Sequence, residues 1–394
     1  MRKSILIAIL ALGMPFLMKA GEPFKDRMKK FLDPKKELRT QDDSTVVEQE
    51  HKLPFDISGS VDVYSQTNFL GKVTNDVYHR AFYPKANAFN LGMFNLMMSK
   101  KIGKVGFMAD IGFGPRAEAA NNTIYSNTVL AIKQLYVSYS PTDWVDITLG
   151  NFSTFFGYEL IEPYNNFNYS TSLAFQNGPF YHTGIKANFK TGKWNFLTGF
   201  FNDTDTKDDN DRNKYVGAQV GYTADNGGVY LNFIGGNEPA TYAIDDTTTG
   251  DVHKNYKAAV DLTGSIKLGE SKKGKLGVNA AFYNYRTKIM EDSEAAASQY
   301  FTTYLYGQYD FNEKGSIGAR VGYFNDSDGA APYVIGGAEN YFDFTLTAQG
   351  RIGNLIFIPE LRFDLADSPV FFKRNGEVDS KLQTVLGLAA VYKF

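Results

Sequence analysis

The sequence predicts an all-β protein: a transmembrane, antiparallel, up-and-down β-barrel of about 16 strands, with short periplasmic turns and long extracellular loops. Three observations predict it. From Leu53 to the C-terminus, apolar and polar side chains alternate with a period of two, so each segment has one apolar and one polar face. The segments run for about 10–14 residues, whereas a globular strand has about 5–6 and a tilted strand crossing hydrocarbon needs about 9–11. The connections also alternate, tight on one side and long and polar on the other, a sorting for which a soluble sandwich has no reason.

Composition narrows the function classes. The 394 residues carry 41 Lys and Arg against 43 Asp and Glu, with 15% aromatics and no Cys. This balance gives no basic footprint, so no nucleic-acid partner is expected. Without Cys there is no disulfide framework, thiolate metal site or cysteine nucleophile. A mean hydropathy of -0.30 reads as soluble, but a barrel turns half of its side chains to lipid and half to a wet interior, so the average misleads.

At the N-terminus, Arg2 and Lys3 precede an apolar run from Ile5 to Met18, which Lys19-Ala20-Gly21 ends. This is the order of a secretory signal peptide, expected over 1–20 with cleavage near Ala20. The run is short and broken by Pro15, a poor spanning helix. Its removal leaves 38 basic against 43 acidic side chains, a net charge of -5. Residues 21–53 hold eight basic and eight acidic side chains. There Phe24, Met28, Phe31 and Leu32 share one face of a short helix that Pro34 ends. This segment reads as a charged periplasmic tail; the alternative is a plug folded back into the lumen.

Residues 54–394 are the expected barrel. Strands are predicted at 55–67, 88–101, 104–114, 129–140, 144–154, 180–190, 194–203, 214–224, 229–237, 255–268, 275–287, 299–311, 315–325, 341–352, 355–367 and 381–394. The even count puts both ends on the short-turn side. Long connections fall at 68–86, 115–128, 155–179, 204–213, 239–254, 288–298, 326–340 and 368–380. In 129–140, Lys133 shares a parity with Leu135, Val137 and Tyr139, which predicts a bulge or a register slip. Phe55, Tyr139, Trp144, Tyr181, Trp194, Tyr222, Phe311, Tyr341, Phe342, Tyr392 and Phe394 lie at strand ends, where interfacial girdles are expected.

Two stretches carry a resemblance. The chain ends with Leu386, Leu388, Ala390, Tyr392 and Phe394 on alternate positions. This resembles the C-terminal strand by which the assembly machinery recognises bacterial outer-membrane barrels. Gly150-Asn151-Phe152-Ser153-Thr154-Phe155-Phe156-Gly157-Tyr158-Glu159, Asn165 to Ser170 and Pro179 to Gly184 together resemble the central block of the OmpL-like β-barrel porin family of Gram-negative envelopes. Phe167 stands where the family pattern has Trp. The resemblance covers about 35 residues and implies a porin in the cell outer membrane, with no defined substrate.

Parity names the wall of the lumen. Inward acids are expected at Asp56, Asp62, Asp110, Asp146, Asp261, Asp310, Asp343, Glu360 and Asp364, and inward bases at Lys186, Lys257, Lys267, Arg320, Arg351 and Arg362. Lys or Arg facing lipid at mid-membrane would cost about 2–4 kcal/mol each. The slight acidic excess points to a weak cation preference. Arg320, Arg351 and Arg362 fall on consecutive strands and suggest one basic stretch of wall. By analogy with porins that fold their third outer loop into the channel, 155–179 is expected to narrow the pore, with Glu159 and Glu162 facing basic wall residues across it.

Asp203, Asp205, Asp208, Asp209 and Asp211 form an acidic outer loop and a weak metal candidate. Lys207 sits where the third ligand of a calcium loop belongs, and no closing Glu follows, so a solvated loop is the plainer reading. No HExxH, Walker A or GxSxG motif occurs, and the His residues at 51, 79, 182 and 253 show no regular spacing. No enzyme activity and no cofactor are expected.

The function expected is therefore a water-filled barrel for passive diffusion of small hydrophilic solutes or ions. The alternative is a plugged barrel serving in surface binding, adhesion or structure, with 21–53 or 155–179 filling the lumen. The partners implied are outer-membrane lipid, the assembly machinery at Phe394 and small solutes. A homotrimer is left open.

Overall fold

The structure is a computed structural model that describes residues 54–69, 82–121, 129, 131–209, 212–238, 255–287, 296–332 and 339–394. The chain divides into two units, Met1–Lys52 and Leu53–Phe394. Only the second is described, so the signal-peptide and N-terminal-plug readings lie outside the described residues.

Sixteen strands close one antiparallel barrel. They are β1 (Asp56–Asn68), β2 (Phe89–Ile102), β3 (Val105–Phe113), β4 (Ile132–Thr142), β5 (Val145–Ser153), β6 (Tyr181–Thr191), β7 (Trp194–Thr204), β8 (Tyr215–Ala224), β9 (Gly227–Glu238), β10 (Asn255–Leu268), β11 (Gly274–Thr287), β12 (Ala296–Asn312), β13 (Gly315–Asn325), β14 (Asn340–Ile352), β15 (Leu355–Ala366) and β18 (Leu382–Lys393). Each pairs with its sequence neighbours, and β1 pairs with β18 to close the ring. The connection after β15 carries a small ribbon of β16 (Phe371–Phe372) and β17 (Val378–Ser380). The sequence reading places every barrel strand within three residues of its observed ends.

The two faces are those that the alternation dictates. On β1, Val61 and Val63 face outward and are exposed, while Ser60, Asp62, Tyr64 and Gln66 are buried within. Apolar residues are exposed on the outer face only because lipid is their solvent.

Lys133 breaks the alternation, as expected. The β3–β4 register shifts between Asp110 and Ile111, pairing Gln134 with the first and Ile132 with the second and leaving Lys133 as the extra residue. The bulge turns a lysine that simple parity would send into lipid toward a buried carboxylate, Asp110.

The girdle expectation needs correction at two positions. Tyr139, Trp144, Trp194, Tyr222, Phe311 and Phe342 are exposed, and Trp194 packs edge-on against Tyr222 at 5.2 Å. Tyr181 and Tyr341 are instead buried in the interior. A strand end offers both faces: Tyr341 has the inward parity of Asp343 and Thr345, whereas Tyr181 has the parity of the exposed Ile185 and lies beyond the register shift between His182 and Gly184.

Phe394 completes the closure. Its carbonyl accepts from the Gly59 N–H at 3.0 Å, and its own N–H donates to the Gly59 carbonyl at 2.9 Å. The ring covers Gly59 so closely that an added Cβ would come within 2.7 Å of it, and would also overlap the Asn95 carbonyl. Gly59→Leu should destabilise the barrel by about 1–3 kcal/mol through overpacking at this seam. The check is the temperature at which the folded band is lost in semi-native electrophoresis; a wild-type value would contradict this account of the closure.

Candidate functional site: the lumen and the segment folded into it

The third long connection, residues 154–180, leaves β5 and packs inside the barrel. Its own sequence shapes it. The Phe156 N–H donates to Thr154 Oγ1 at 3.1 Å, and Thr154 Oγ1 meets His182 Nε2 at 3.0 Å. Pro163 opens a 3-10 turn, Pro163–Asn165. Asn166 holds the bend before it, accepting from the Leu160 N–H at 2.9 Å and donating to the Leu160 carbonyl at 2.6 Å. Ser172 caps the short helix α2 (Leu173–Asn177) by accepting from the Phe175 N–H.

Three rings of the segment seat on glycines of the wall. Phe155 lies against Gly217 of β8, Tyr158 against Gly277 of β11 and Phe167 against Gly318 of β13; a Cβ at any of these glycines would collide with the ring. Tyr158 also stacks on Tyr306 of β12 at 4.2 Å.

Buried polar groups pin the segment at other points. Arg320 of β13 donates to Glu159 Oε1 at 2.9 Å, to the Ser170 carbonyl at 2.5 Å and to Asp343 Oδ2 at 3.0 Å. Arg362 of β15 meets Asp343 at 2.7 Å and Asp364 at 2.6 Å, and donates to the Thr171 carbonyl at 2.7 Å. Glu159 Oε2 accepts from the Ser172 N–H at 2.7 Å and its hydroxyl at 2.8 Å. Glu360 accepts from the N–H groups of Tyr169 at 3.0 Å and Ser170 at 3.2 Å. On β10, Asp261 accepts from the Gly157 N–H at 3.0 Å, from Asn232 Nδ2 at 2.7 Å and from Asn279. On β4, Lys133 joins Asp110 at 3.1 Å and Glu162. Arg116, in the short helix α1 (Pro115–Ala120), donates to the Tyr169 carbonyl at 3.2 Å and lies 4.7 Å from the centre of its ring. The Tyr169 hydroxyl donates to Asp62 Oδ2 at 2.7 Å. These ties reach β1, β4, β10, β13 and β15, while the rings reach β8 and β11. The segment is therefore held around most of the circumference.

The residues singled out in the sequence are partly brought together. Glu159 forms a direct, buried ion pair with Arg320. Glu162 also meets a basic wall residue, but it is Lys133, which the bulge delivers. Arg320 and Arg362 share Asp343 because both stand opposite Thr345 in register. Arg351 lies six residues further along β14, about 20 Å away at strand rise, and donates to Ser316 Oγ at 3.2 Å and Gln349 Oε1 at 2.5 Å. The continuous basic stretch is thus a neutralised cluster plus one separate arginine. Both glutamates are in direct ion pairs, Glu159 buried and Glu162 nearly so, so neither presents a bare charge to water. Lys186 lies 4.2 Å from the centre of the Phe152 ring. Sequence reasoning missed the wall glycines, Arg116 and Gln349; inward glycines on strands were the available signal.

Among the described residues no group of acidic or His side chains is gathered as a metal site requires. Asp211 lies outside the described residues. Asp209 pairs with Lys214 at 2.5 Å, and Asp203 accepts from the Thr204 N–H at 2.5 Å. Asp205 instead accepts from the N–H groups of Phe180 at 2.7 Å and Tyr181 at 3.0 Å, fastening the exit of the inward segment.

Space remains on both sides of the segment. A cavity of about 780 Å³ opens toward the short turns, lined by Tyr158, Gln308, Gln349 and Arg351 among others. A second, of about 560 Å³, lies along β3–β7 and shares Gln219 and Tyr230 with it. Toward the long loops lies a smaller one of about 190 Å³, lined by Asn177, Asp205, Lys257, Tyr283 and Tyr285.

A closed 16-strand barrel narrowed by an inward-folded connection defines the porin class of outer-membrane channels. The particular family follows from the sequence: the family model described as "Putative beta-barrel porin-2, OmpL-like" matches residues 54–394, and the chain belongs to that family. No curated protein matches by sequence. Among solved structures, the outer membrane channel DcaP of Acinetobacter baumannii is similar, with a TM-score of 0.59 at 15% identity over 86% of this chain and 97% of that one. The trimer form of OmpT from Vibrio cholerae and the anion-selective porin from Comamonas acidovorans each give 0.54 at 12% identity over 86% and 99%. These likenesses show the shared fold.

Burial away from water pushes the Asp205 carboxyl up to about 7, against the pull of its two N–H donors, with Asp203 adding to the rise and Lys257 opposing it. A carboxyl raised above its unfolded value favours the folded state while protonated, so its contribution is full below about pH 4 and is lost as pH rises through about 7. Asp205→Asn keeps an oxygen acceptor and loses the proton. The variant should therefore show a flatter stability profile than wild type between pH 4 and 7.5 in detergent thermal melts; parallel profiles would contradict the assignment.

Proposed function

We propose that the chain is a narrow diffusion channel for small hydrophilic solutes. The observation that supports this best is the 154–180 segment: fixed rigidly inside the barrel, with water-sized space on both of its sides. A polar, rigid constriction selects by size and charge without a moving part. The same pinning favours the second reading, a plugged barrel with a binding or structural role, should the two spaces not connect. In the channel reading, residues 1–20 are removed at export, the strand ending in Phe394 is presented to the assembly machinery, and three copies associate as in the trimer form of the similar Vibrio protein. Intact and native masses of the purified protein test the leader removal and the trimer.

Planar bilayer recording separates the two readings. Wild type should give small, quiet conductance steps. Glu159→Gln/Glu162→Gln, which breaks two largely buried pairs at a cost of about 3–5 kcal/mol for one fully buried pair, should give larger, noisier steps. Silence from wild type, with steps appearing only in the double variant, would replace the channel by the plug.

A further inference from the structure

The water-facing charge on the short-turn side of the constriction is basic. We propose that this vestibule is an anion-binding surface that makes the channel prefer small organic anions, carboxylates above all; the proposal rests on the channel reading and names its solute class.

Three cations line the 780 Å³ cavity: Lys267, Lys275 and Arg351. Lys267 of β10 and Lys275 of β11 are directly opposed in register, and both belong to the lumen-facing parity. Like charges opposed across two strands oppose folding. Such a pair is costly to the sheet, and an anion seated between the charges would offset that cost. Arg351 has only neutral partners among the described residues, Ser316 Oγ and Gln349 Oε1. Gln349 is itself anchored to the inward segment, donating to the carbonyls of Asn166 at 3.3 Å and Phe167 at 2.7 Å. The guanidinium is thus oriented by the constriction and keeps N–H groups for a ligand. A planar fork of this kind suits a carboxylate. The ammonium of Lys275 lies 5.6 Å from the centre of the Tyr158 ring, which supplies an apolar wall for the body of an organic anion.

The acids nearby do not cancel this charge. Of those lining the cavity, Glu159 is paired with Arg320, and Asp225 sits at a turn 3.9 Å from Lys193. Asp310, beside Lys275, accepts from Gln308 Nε2 at 2.9 Å. Three cations against Asp310 leave the vestibule positive. This reverses the weak cation preference expected from counting inward acids, because most of those acids are consumed in holding the inward segment.

The experiment uses full-length protein and the variant Lys267→Gln/Lys275→Gln/Arg351→Gln, with Arg351→Gln alone as the milder change. In bilayers under a KCl gradient, wild type should pass chloride in preference to potassium, and the triple variant should lose about threefold or more of that ratio. Citrate added on the short-turn side should lower wild-type conductance and leave the triple variant unaffected. Titration calorimetry with citrate on detergent-solubilised protein should show binding to wild type and none to the triple variant. Lys275→Gln should melt no lower than wild type, since it relieves a repulsion, whereas a structural role requires a lower melt. Potassium preference in wild type, or equal citrate binding by wild type and triple variant, overturns the proposal. Silent bilayers with citrate binding intact would sink the channel reading and leave the anion site standing.

Discussion

A strand in hydrocarbon has no water to satisfy its N–H and C=O groups, so every ladder must find a neighbour. In this chain that demand is met when β18 pairs with β1, Val385–Lys393 against Ser60–Asn68, and the last residue extends the ladder. Phe394 exchanges both backbone hydrogen bonds with Gly59 and lays its ring over it. Closure then fixes the rest. Sixteen strands make a ring wide enough to hold water, alternation sends one face of each strand into it, and a polar interior of that width must be either hydrated or filled.

The chain fills much of it with residues 154–180, and the filling explains the charge inside. Buried carboxylates outnumber buried cations, yet each has donors. Asp261 is held by a backbone N–H and two amides, Glu360 by two backbone N–H groups and Thr347, and Asp343 by two arginines. An inward loop carries many N–H groups with no ladder to join, and acids on the wall supply the acceptors. The lumen acids therefore act as fasteners. What faces water is set by the residues left over, and near the short turns these are basic.

The barrel was legible because period-2 alternation is written locally. Even the bulge could be read, since Lys133 falls on a lipid-facing parity that no lysine tolerates cheaply. Tyr341 was misread because position at a strand end does not choose a face, whereas parity does; Tyr181 was hidden further, because the register shifts between His182 and Gly184 and parity counted along β6 no longer assigns its face. The inward segment was located only by analogy. Its fit depends on Gly217, Gly277 and Gly318, which lie about 60 to 150 residues from the rings they receive, and nothing local in the sequence joins them. The split of the three arginines was hidden for the same reason. Arg320 and Arg362 meet through a shared register partner, Thr345, and register across strands is set by closure of the whole ring.

The central claim is that 154–180 is seated against the wall inside the lumen, and the absence of native cysteine allows a clean test. Asn168→Cys/Thr347→Cys replaces a side chain of the segment and the wall side chain it meets at 2.7 Å with two neighbouring thiols. In outer membranes treated with a short bifunctional thiol reagent, the account predicts near-complete formation of this cross-link, seen as a mobility shift that neither single variant shows. Failure to form it in a barrel that is otherwise folded would show that the segment lies elsewhere.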